Sequence, residues 1–333
     1  MLNFCTLFDS NYLSRGLTMY RSLEKYCHDY HLYIFAFDSK CYDILSNLNL
    51  AKATVISLAE FEDQELLEVK KKRTSQEYCW TCTPSTILYC INKFSLDHCT
   101  YIDADLLFFS DPKVLVDEMG PKSVMISEHR YTPEYDQTKK CGKYCVQFMT
   151  FKNNPEGMHV LNWWKNACME WCHARFEDNK FGDQKYLDNW MEIFDCVHEL
   201  KHLGGGVAPW NVQQYHFEKK NGRMVGKELS TNKEFDLVFY HFQDFRRSIN
   251  NIYQIASWYH FSKDIIRSIY EPYIRTLSAT EREIIKVSGW KPVKVETEIS
   301  WLWKSVRKTF LVFFKGHYKN HYHLSYFYRV WLN

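Results

Sequence analysis

The first half of the chain alternates apolar runs of strand length with amphipathic segments of helical period. The apolar runs cover residues 2–8, 31–37 and 53–58, and residues 10–27 and 42–48 between them place apolar side chains at helical spacing. Strands that alternate with helices are typical of a mostly parallel sheet with helices on both faces. The sequence therefore predicts an α/β fold.

The alternation continues toward the middle of the chain. Residues 61–73 are charged and residues 84–94 apolar, both with a helical pattern, and residues 99–112 form an apolar strand that is interrupted by two carboxylates. Beyond them the sequence predicts strands at 123–127, 144–151 and 237–242, a tryptophan-rich helix at 157–174 and another helix opening at 182–190.

The pattern changes near residue 251, after which helical and aromatic segments replace the strands. We predict a catalytic domain at residues 1–255 and a helical region at residues 256–333. A tail from about residue 300 is basic and aromatic, with no Asp or Glu from Lys304 onward. The predicted fold class is thus an α/β domain with a helical, basic-aromatic C-terminal extension.

Composition narrows the possible functions only slightly. The 333 residues are 46% hydrophobic, which is enough to bury a large core, and the net charge of +2 gives no footprint of a nucleic-acid partner. No apolar run reaches the ~20 residues of a membrane span, and the N-terminus lacks the features of a signal peptide. We therefore expect a cytoplasmic protein whose 12 cysteines are reduced thiols.

The interrupted strand at residues 99–112 carries the chemistry. Asp103 ends its first part and Asp105 lies two residues on, so both carboxylates can face the crevice at the carboxyl ends of the strands. Two hard oxygen ligands there suit Mg²⁺ or Mn²⁺. The two aspartates are also compatible with an Asp-rich turn that binds no metal. A second alternative is the metal site of a phosphohydrolase. In phosphohydrolases with such a motif, however, it follows the first strand.

Three segments together resemble a known superfamily. They are FCTLFDSNYLSRGLTMYRSL, YIDADLLFF and FGDQKYLDNW, and the resemblance covers roughly residues 1–247. The chain resembles the GT-A glycosyltransferases and is similar to glycosyltransferase family eight in particular. The resemblance implies a GT-A fold, a Rossmann-like mixed sheet flanked by helices. It also implies transfer of a sugar from a nucleotide-diphosphate donor with the help of Mn²⁺ or Mg²⁺.

The resemblance also implies a donor site. Phe8, Asp9 and Asp38 match the ends of the first two strands, where base and ribose bind in such enzymes, although Asp38 also fits a turn. Arg73 matches a contact to the donor phosphates or sugar, although the lysines before it are typical of a solvated helix. Ala104, between the two aspartates, belongs to the same donor segment.

Asp103, Asp105 and the late histidine His241 match the three metal ligands of the resembling families. A lone histidine on an apolar strand is also compatible with simple core packing. The family-eight pattern H-x-x-G-x-x-K-P-W is absent, because FQDFRR follows His241. Arg246 or Arg247 therefore replaces the missing lysine as phosphate ligand in this interpretation.

Asp183 and Gln184 match the catalytic segment of the resembling enzymes. There the Asp binds sugar hydroxyls, and the Gln lies on the face of the donor sugar opposite the leaving group, which implies retention of configuration. An inverting enzyme needs a carboxylate base, and Asp183 is then the candidate. The structural alternative is a helix N-terminus with Asp183 in its first turn.

Further expectations concern ligands and partners. The resemblance implies a UDP-sugar donor and a glycan or lipid-linked glycan acceptor, and the rival hypothesis is a non-catalytic protein of the same fold that binds sugar nucleotides or membranes. The glycine-rich segment 202–211 is expected to contact the acceptor through Trp210, or else to cover the core. The tail is expected to make peripheral contact with an anionic membrane at its cytoplasmic face, or else to pack on the catalytic domain, and no nucleic-acid partner is expected. The oligomeric state stays open.

Overall fold

A computed structural model describes residues 1–248, 251–292 and 320–327. Its strands, in chain order, are β1 Leu2–Phe8, β2 Tyr30–Ala36, β3 Ala53–Ser57, β4 His98–Ile102, β5 Leu106–Phe108, β6 Val124–Glu128, β7 Tyr144–Lys152, β8 Val197–Glu199, β9 Gly205–Val207, β10 Tyr215–Lys220, β11 Arg223–Glu228, β12 Glu234–Asp236, β13 Phe239–His241, β14 Arg246–Arg247, β15 Ile252–Gln254 and β16 His321–His323.

The helices are α1 Leu13–Tyr26, α2 Ser39–Asn47, α3 Leu58–Phe61, α4 Gln64–Lys70, α5 Ser75–Phe94, α6 Lys113–Glu118, α7 Thr138–Cys141, α8 Pro155–Glu170, α9 Trp190–Ile193, α10 Lys263–Ile265 and α11 Glu271–Ser288. A π-helical turn at Ile266–Tyr270 joins α10 to α11.

A seven-stranded mixed sheet forms the centre of the molecule, in the order β3-β2-β1-β4-β7-β6-β8. Strands β1 to β4 run parallel, and β7 is antiparallel to both β4 and β6. Alternate side chains leave opposite faces of the sheet: Phe4 packs in the core that includes α1 and α2, and Cys5 packs in the core that includes α5 and α8. The predicted mixed α/β fold is confirmed.

The break in the strand at residues 99–112 separates two sheets. β4 belongs to the central sheet, whereas β5 belongs to a small sheet of order β5-β13-β9. Asp103, Ala104 and Asp105 form the crossover between them. The crossover thus lies at the carboxyl end of β4 and beside the end of β13.

The apolar helix predicted at residues 84–94 begins much earlier, at Ser75. Thr74 and Glu77 form a capping box, in which each side chain binds the other residue's backbone N–H. Pro84 therefore lies inside the helix, where it costs one backbone hydrogen bond. A proline is more common in the first turn of a helix than in its interior, which favours a start at Pro84. The predicted start was nevertheless wrong, because the capping box at Thr74 begins the helix earlier.

Three other elements differ from the sequence prediction. The helix predicted at residues 61–73 is divided into α3 and α4, because Asp63 caps the second of them. The helix predicted at 182–190 is a 3-10 turn, Lys185–Asn189, followed by the short α9. The antiparallel meander β10-β11-β12 had no counterpart in the prediction.

The described C-terminal residues return to the rest of the fold. β16 extends an antiparallel sheet of order β14-β15-β16, so the region predicted as helical also contributes a strand. Phe327 is buried, and Tyr326 is exposed. Residues 300–319 and 328–333 of the predicted membrane-binding tail lie outside the described residues, and the boundary at residue 255 stays a prediction. Within the described ranges, no helix combines the length and apolar character needed to cross a bilayer.

Candidate metal and donor site

Two strands bring three potential metal ligands together. The backbone N–H of Asp103 donates to the carbonyl of Gln147, which continues the pairing of β4 with β7 by one residue. In the small sheet His241 lies opposite Leu106, and the N–H of Phe242 donates to the carbonyl of Asp105. The end of β13 is therefore fixed beside the Asp-Ala-Asp crossover.

The ligand atoms of Asp103, Asp105 and His241 all lie within 4.8 Å of one another. His241 Nε2 is 3.1 Å from Asp105 Oδ1 and 3.7 Å from Asp103 Oδ2. The Asp103 side chain is 28% exposed, whereas those of Asp105 and His241 are 12% and 8% exposed. One side of this group, which we call the metal group, thus remains open to a ligand.

A buried amide orients the histidine. Gln147 is completely buried on β7, and its Oε1 lies 2.8 Å from His241 Nδ1. An amide oxygen accepts a hydrogen bond, so Nδ1 carries the proton and Nε2 is the nitrogen that faces the carboxylates. Histidine ligands of metal ions are commonly held in this way. The residues present therefore fit a divalent cation with mixed oxygen and nitrogen ligands.

The charges of the metal group perturb one another. Burial alone would lower the pKa of His241, but the charge of Asp105 and a hydrogen bond with it raise this pKa well above its ordinary value. Burial raises the pKa of Asp103 to about 6, the charge of His241 opposes this, and Tyr101 donates a hydrogen bond to Asp103 Oδ1 at 3.1 Å. A cation between the two carboxylates and the histidine would relieve these unfavourable interactions, which is what a candidate metal site requires.

One residue of the predicted catalytic pair, Asp183, interacts with the charge of the metal group. Asp183 is buried, and its carbonyl accepts a hydrogen bond from Trp164 Nε1. Burial and then the charge of Asp103 raise the pKa of Asp183 to about 7. Gln184 is half-buried, and its Nε2 donates to the carbonyl of Cys141 at 2.6 Å. The structure therefore places Asp183 close enough to the metal group for their charges to interact.

The predicted base and ribose contacts have structural roles of their own. The ring of Phe8 is buried against Gly16, where a Cβ would lie 2.4 Å from it. Asp9 accepts hydrogen bonds from the backbone N–H groups of Asn11 and Tyr12. These contacts explain the local fold, and a nucleotide role for Phe8 and Asp9 stays a prediction.

Asp38 caps a helix with both carboxylate oxygens engaged. Oδ1 accepts from the N–H of Cys41 at 2.6 Å, which caps α2, and Oδ2 accepts from the N–H of Ser10 at 2.8 Å. The turn role considered for Asp38 is therefore present in the structure. Ala104 is buried between the two aspartates, so only its backbone can face a ligand.

Arg73 contacts residues at and after the end of α8. Its Nη1 lies 2.9 Å from His173 Nε2, and its Nη2 donates to the carbonyl of Glu170. His173 Nδ1 in turn lies 3.1 Å from Glu77 Oε1. These contacts tie the loop before α5 to the end of α8, and the predicted donor contact of Arg73 stays a prediction.

The two arginines proposed to replace the missing lysine are each paired with an acid. Arg246 Nη2 lies 2.8 Å from Asp244 Oδ1, and Arg247 Nη1 is paired with Glu281 Oε2. Trp210 of the glycine-rich segment is buried, and its Nε1 donates to the carbonyl of His129. Its ring contacts His241 edge to face at 5.4 Å, so Trp210 packs behind the metal group instead of presenting its face to an acceptor.

Sequence reasoning missed Gln147 and Arg15, both close to the metal group. The signal for Gln147 was visible, because it is the one amide in the apolar run YCVQFMTF, and a buried polar side chain needs a partner. Arg15 gave no such signal, since an arginine on a helix is ordinarily a solvated residue.

Comparison with known proteins gives relatives and a fold. No protein-family model matches the sequence. Among solved structures, the galactosyltransferase LgtC in complex with donor and acceptor sugar analogs superposes with a TM-score of 0.51 at 12% identity, over 84% of this chain and 96% of that chain. This likeness shows that the mixed sheet flanked by helices is the fold of GT-A glycosyltransferases. Membership of family eight stays a prediction.

Two relatives from Bacillus subtilis (strain 168) are more similar in sequence. YfnF, described as an uncharacterized protein, is 31% identical over 277 residues, 80% of this chain and 90% of its own length. YfnD, with the same description, is 32% identical over 291 residues, 85% of this chain and 90% of its own length. On the strength of this identity over most of both chains, the protein belongs to the same family as YfnD and YfnF.

Proposed function

We propose that this chain is a metal-dependent glycosyltransferase that moves a sugar from a nucleotide-diphosphate donor to a glycan or lipid-linked glycan. The observation that carries the proposal is the metal group at the carboxyl end of β4, with His241 oriented by Gln147. Open α/β sheets bind their ligands at this edge. The GT-A fold supports the same conclusion, because glycosyl transfer is the activity named for the superposed LgtC.

Asp103, Asp105 and His241 would hold Mn²⁺ or Mg²⁺. When bound, such an ion supplies positive charge that stabilises the leaving nucleotide diphosphate. The Asp103 side chain is the most exposed of the three, so we propose that a diphosphate approaches from its side of the group without displacement of the two buried ligands. We take a UDP-sugar as the donor on the sequence resemblance.

Asp183 and Gln184 act on the sugar in this proposal. The bond from Gln184 to the carbonyl of Cys141 fixes its amide, and a fixed amide can hold the donor sugar without acting as a strong base. On the resemblance to family eight, we propose retention of configuration. In the inverting alternative the Asp183 carboxylate takes the proton of the acceptor hydroxyl. Proton NMR of the product anomer distinguishes the two.

Release of nucleotide diphosphate from a panel of UDP- and GDP-sugars with Mn²⁺ tests the proposal. Asp103→Asn should lower turnover at least ~100-fold, because it removes an ion ligand whose charge stabilisation is worth several kcal/mol. Asp117→Asn is the matched control, since Asp117 is an exposed carboxylate on α6 that pairs with Lys113. Equal turnover by both variants would refute the metal-dependent mechanism. Binding of the sugar nucleotides without turnover by the wild type would favour the non-catalytic hypothesis.

A further inference from the structure

One arginine near the metal group has unused hydrogen-bond donors. Arg15 lies in the first turn of α1 and is half-buried. Its Nη2 donates to the carbonyl of Phe245 at 2.7 Å, and its guanidinium carbon lies 4.2 Å from the ring centroid of Tyr12. Guanidinium has five N–H donors, so beyond the contacts with Phe245 and Tyr12 some are left for another partner.

The position of Arg15 follows from these two contacts. Phe245 lies four residues after His241, in the loop that leaves the metal group, and Tyr12 precedes α1. The N–H of Phe245 donates to the carbonyl of Phe242, and the N–H of Phe242 donates to the carbonyl of Asp105. The guanidinium of Arg15 is therefore connected to the Asp-Ala-Asp crossover through a short series of hydrogen bonds.

Arg15 also differs from the other arginines of this region. Within residues 1–248, 251–292 and 320–327, no carboxylate forms an ion pair with it, whereas Arg246 is paired with Asp244 and Arg247 with Glu281. Keeping a half-buried guanidinium without an acidic partner is costly unless a ligand supplies the anion. The two contacts of Arg15 also hold it in one orientation, which lowers the entropy lost on binding.

The negative charge of the proposed donor requires a positively charged side chain beside the metal group. Two carboxylates already balance a divalent ion, so the negative charge of a diphosphate beside it needs further positive charge from the protein. Arginine matches phosphate oxygens with two parallel hydrogen bonds, which lysine cannot do. We infer that Arg15 binds the diphosphate of the nucleotide donor, an inference that rests on the proposed function.

Calorimetric binding with Mn²⁺ present tests this on the full chain, with inorganic pyrophosphate, UDP, UMP and uridine as probes. Arg15→Met keeps most of the side-chain volume and removes the charge and the donors. We expect it to weaken binding of UDP and pyrophosphate by about 10- to 100-fold, with a smaller effect on UMP, none on uridine and no loss of affinity for Mn²⁺, because removal of a nearby positive charge does not weaken binding of a cation. Arg15→Lys should recover part of the loss, because it restores the charge without the planar fork.

Arg21→Met is the matched control. Arg21 lies on the same helix, but it is already paired with Glu24 and Glu283, so its loss should leave binding of every probe unchanged. Both variants are checked by thermal unfolding. An Arg15→Met protein that melts like the wild type and binds the diphosphates normally would overturn the inference.

Three further outcomes are informative. An equal loss for uridine and UDP would overturn the inference by showing that Arg15 only shapes the loop at Phe245. Loss of diphosphate binding in Arg246→Met but not in Arg15→Met would assign the phosphate contact to Arg246 instead. If the wild type does not bind diphosphates, or if Asp103→Asn binds them as well as the wild type does, the proposed function itself is overturned. This result differs from a failure of the Arg15 inference alone, in which the wild type binds diphosphates and requires Asp103 for it.

Discussion

Gln147→Leu is expected to weaken metal binding although residue 147 does not belong to the metal group. The side chain is completely buried, and its Oε1 is 2.8 Å from His241 Nδ1. Leucine has a similar volume but no acceptor, so the imidazole N–H would be left without a partner inside the protein. The His241 ring would then adopt other orientations, and the other tautomer, more often.

The magnitude follows from that single hydrogen bond. An unsatisfied buried donor costs about 1–3 kcal/mol, and loss of the partner that orients a metal ligand ordinarily lowers metal affinity by roughly 10- to 100-fold. The fold itself should lose little stability, because Gln147 Nε2 has no hydrogen-bond partner among the described residues, and leucine removes that buried donor too. Metal affinity and stability should therefore respond differently.

Titration of Mn²⁺ followed by electron paramagnetic resonance measures the affinity, and urea unfolding measures the stability. Thr150→Val is the matched control, since Thr150 is buried on the same strand and its hydroxyl is hydrogen-bonded to that of Thr100, not to the metal group. The control should lose stability and keep its Mn²⁺ affinity. A Gln147→Leu protein with the Mn²⁺ affinity of the wild type would refute the role assigned to Gln147.

Three other variants test the site and its scaffold. Gln184→Ala should lower kcat more than it raises KM for the donor, because the residue is proposed to act at the reacting sugar, and a change in KM alone contradicts that role. Gly16→Ala should cost about 1–3 kcal/mol in urea unfolding, because the new Cβ would lie 2.4 Å from the ring of Phe8; an unchanged midpoint would contradict the packing. Burial opposes ionisation of Glu77, but hydrogen bonds from the N–H groups of Thr74 and Ala174 lower its pKa to about 2. In the unfolded chain the pKa of a glutamate is about 4.3. The ionised Glu77 therefore stabilises the fold fully above that pH and loses this effect as the pH falls toward 2. The difference in melting temperature between wild type and Glu77→Gln should therefore be largest near neutral pH and close as the pH falls toward 2.

The sequence predicts those features of the fold that depend on local patterns. Alternating apolar and helical runs indicated β1 to β4 and their helices, and an Asp-x-Asp after a buried strand indicated the metal group. The errors occurred where a local preference was overridden, as at Pro84 inside α5. There the capping box at Thr74 and burial of the helix against the sheet outweigh the cost of one proline.

Contacts between distant segments could not be predicted in the same way. Gln147 and His241 are 94 residues apart, and Arg15 and Phe245 are 230 residues apart. Because the lysine of the family-eight pattern is missing, the sequence offers Arg246 or Arg247, which follow His241 closely in the chain, as its replacement. The fold pairs those arginines with acids and brings Arg15 from the first helix to the same loop. The partner of a charged side chain is decided by tertiary packing, which chain proximity does not reveal, so the phosphate role of Arg246 and Arg247 stays a prediction.

The basic-aromatic tail gives the last prediction, and the described residues decide how it can be tested. Removing everything after Glu298 would also remove β16, the Asn320 side chain that donates to the carbonyls of Ala256 and Tyr259, and the buried Phe327. Burial of a phenylalanine side chain is worth about 1.5–3 kcal/mol. Such a truncated protein would lose stability as well as charge, so weaker membrane binding would not identify the cause.

Neutralising the charges in the full-length chain avoids this problem. The variant replaces with glutamine the six basic residues Lys304, Arg307, Lys308, Lys315, Lys319 and Arg329. Each cation near an anionic surface contributes about 1 kcal/mol, so the wild type should sediment with phosphatidylserine liposomes in a salt-sensitive way and the variant should not. The variant should melt like the wild type, since β16 and Phe327 are kept, and glutamine at the exposed Lys71 and Lys72 serves as a control that leaves sedimentation unchanged. Equal sedimentation of wild type and neutralised variant would show that these charges do not hold the protein at a membrane.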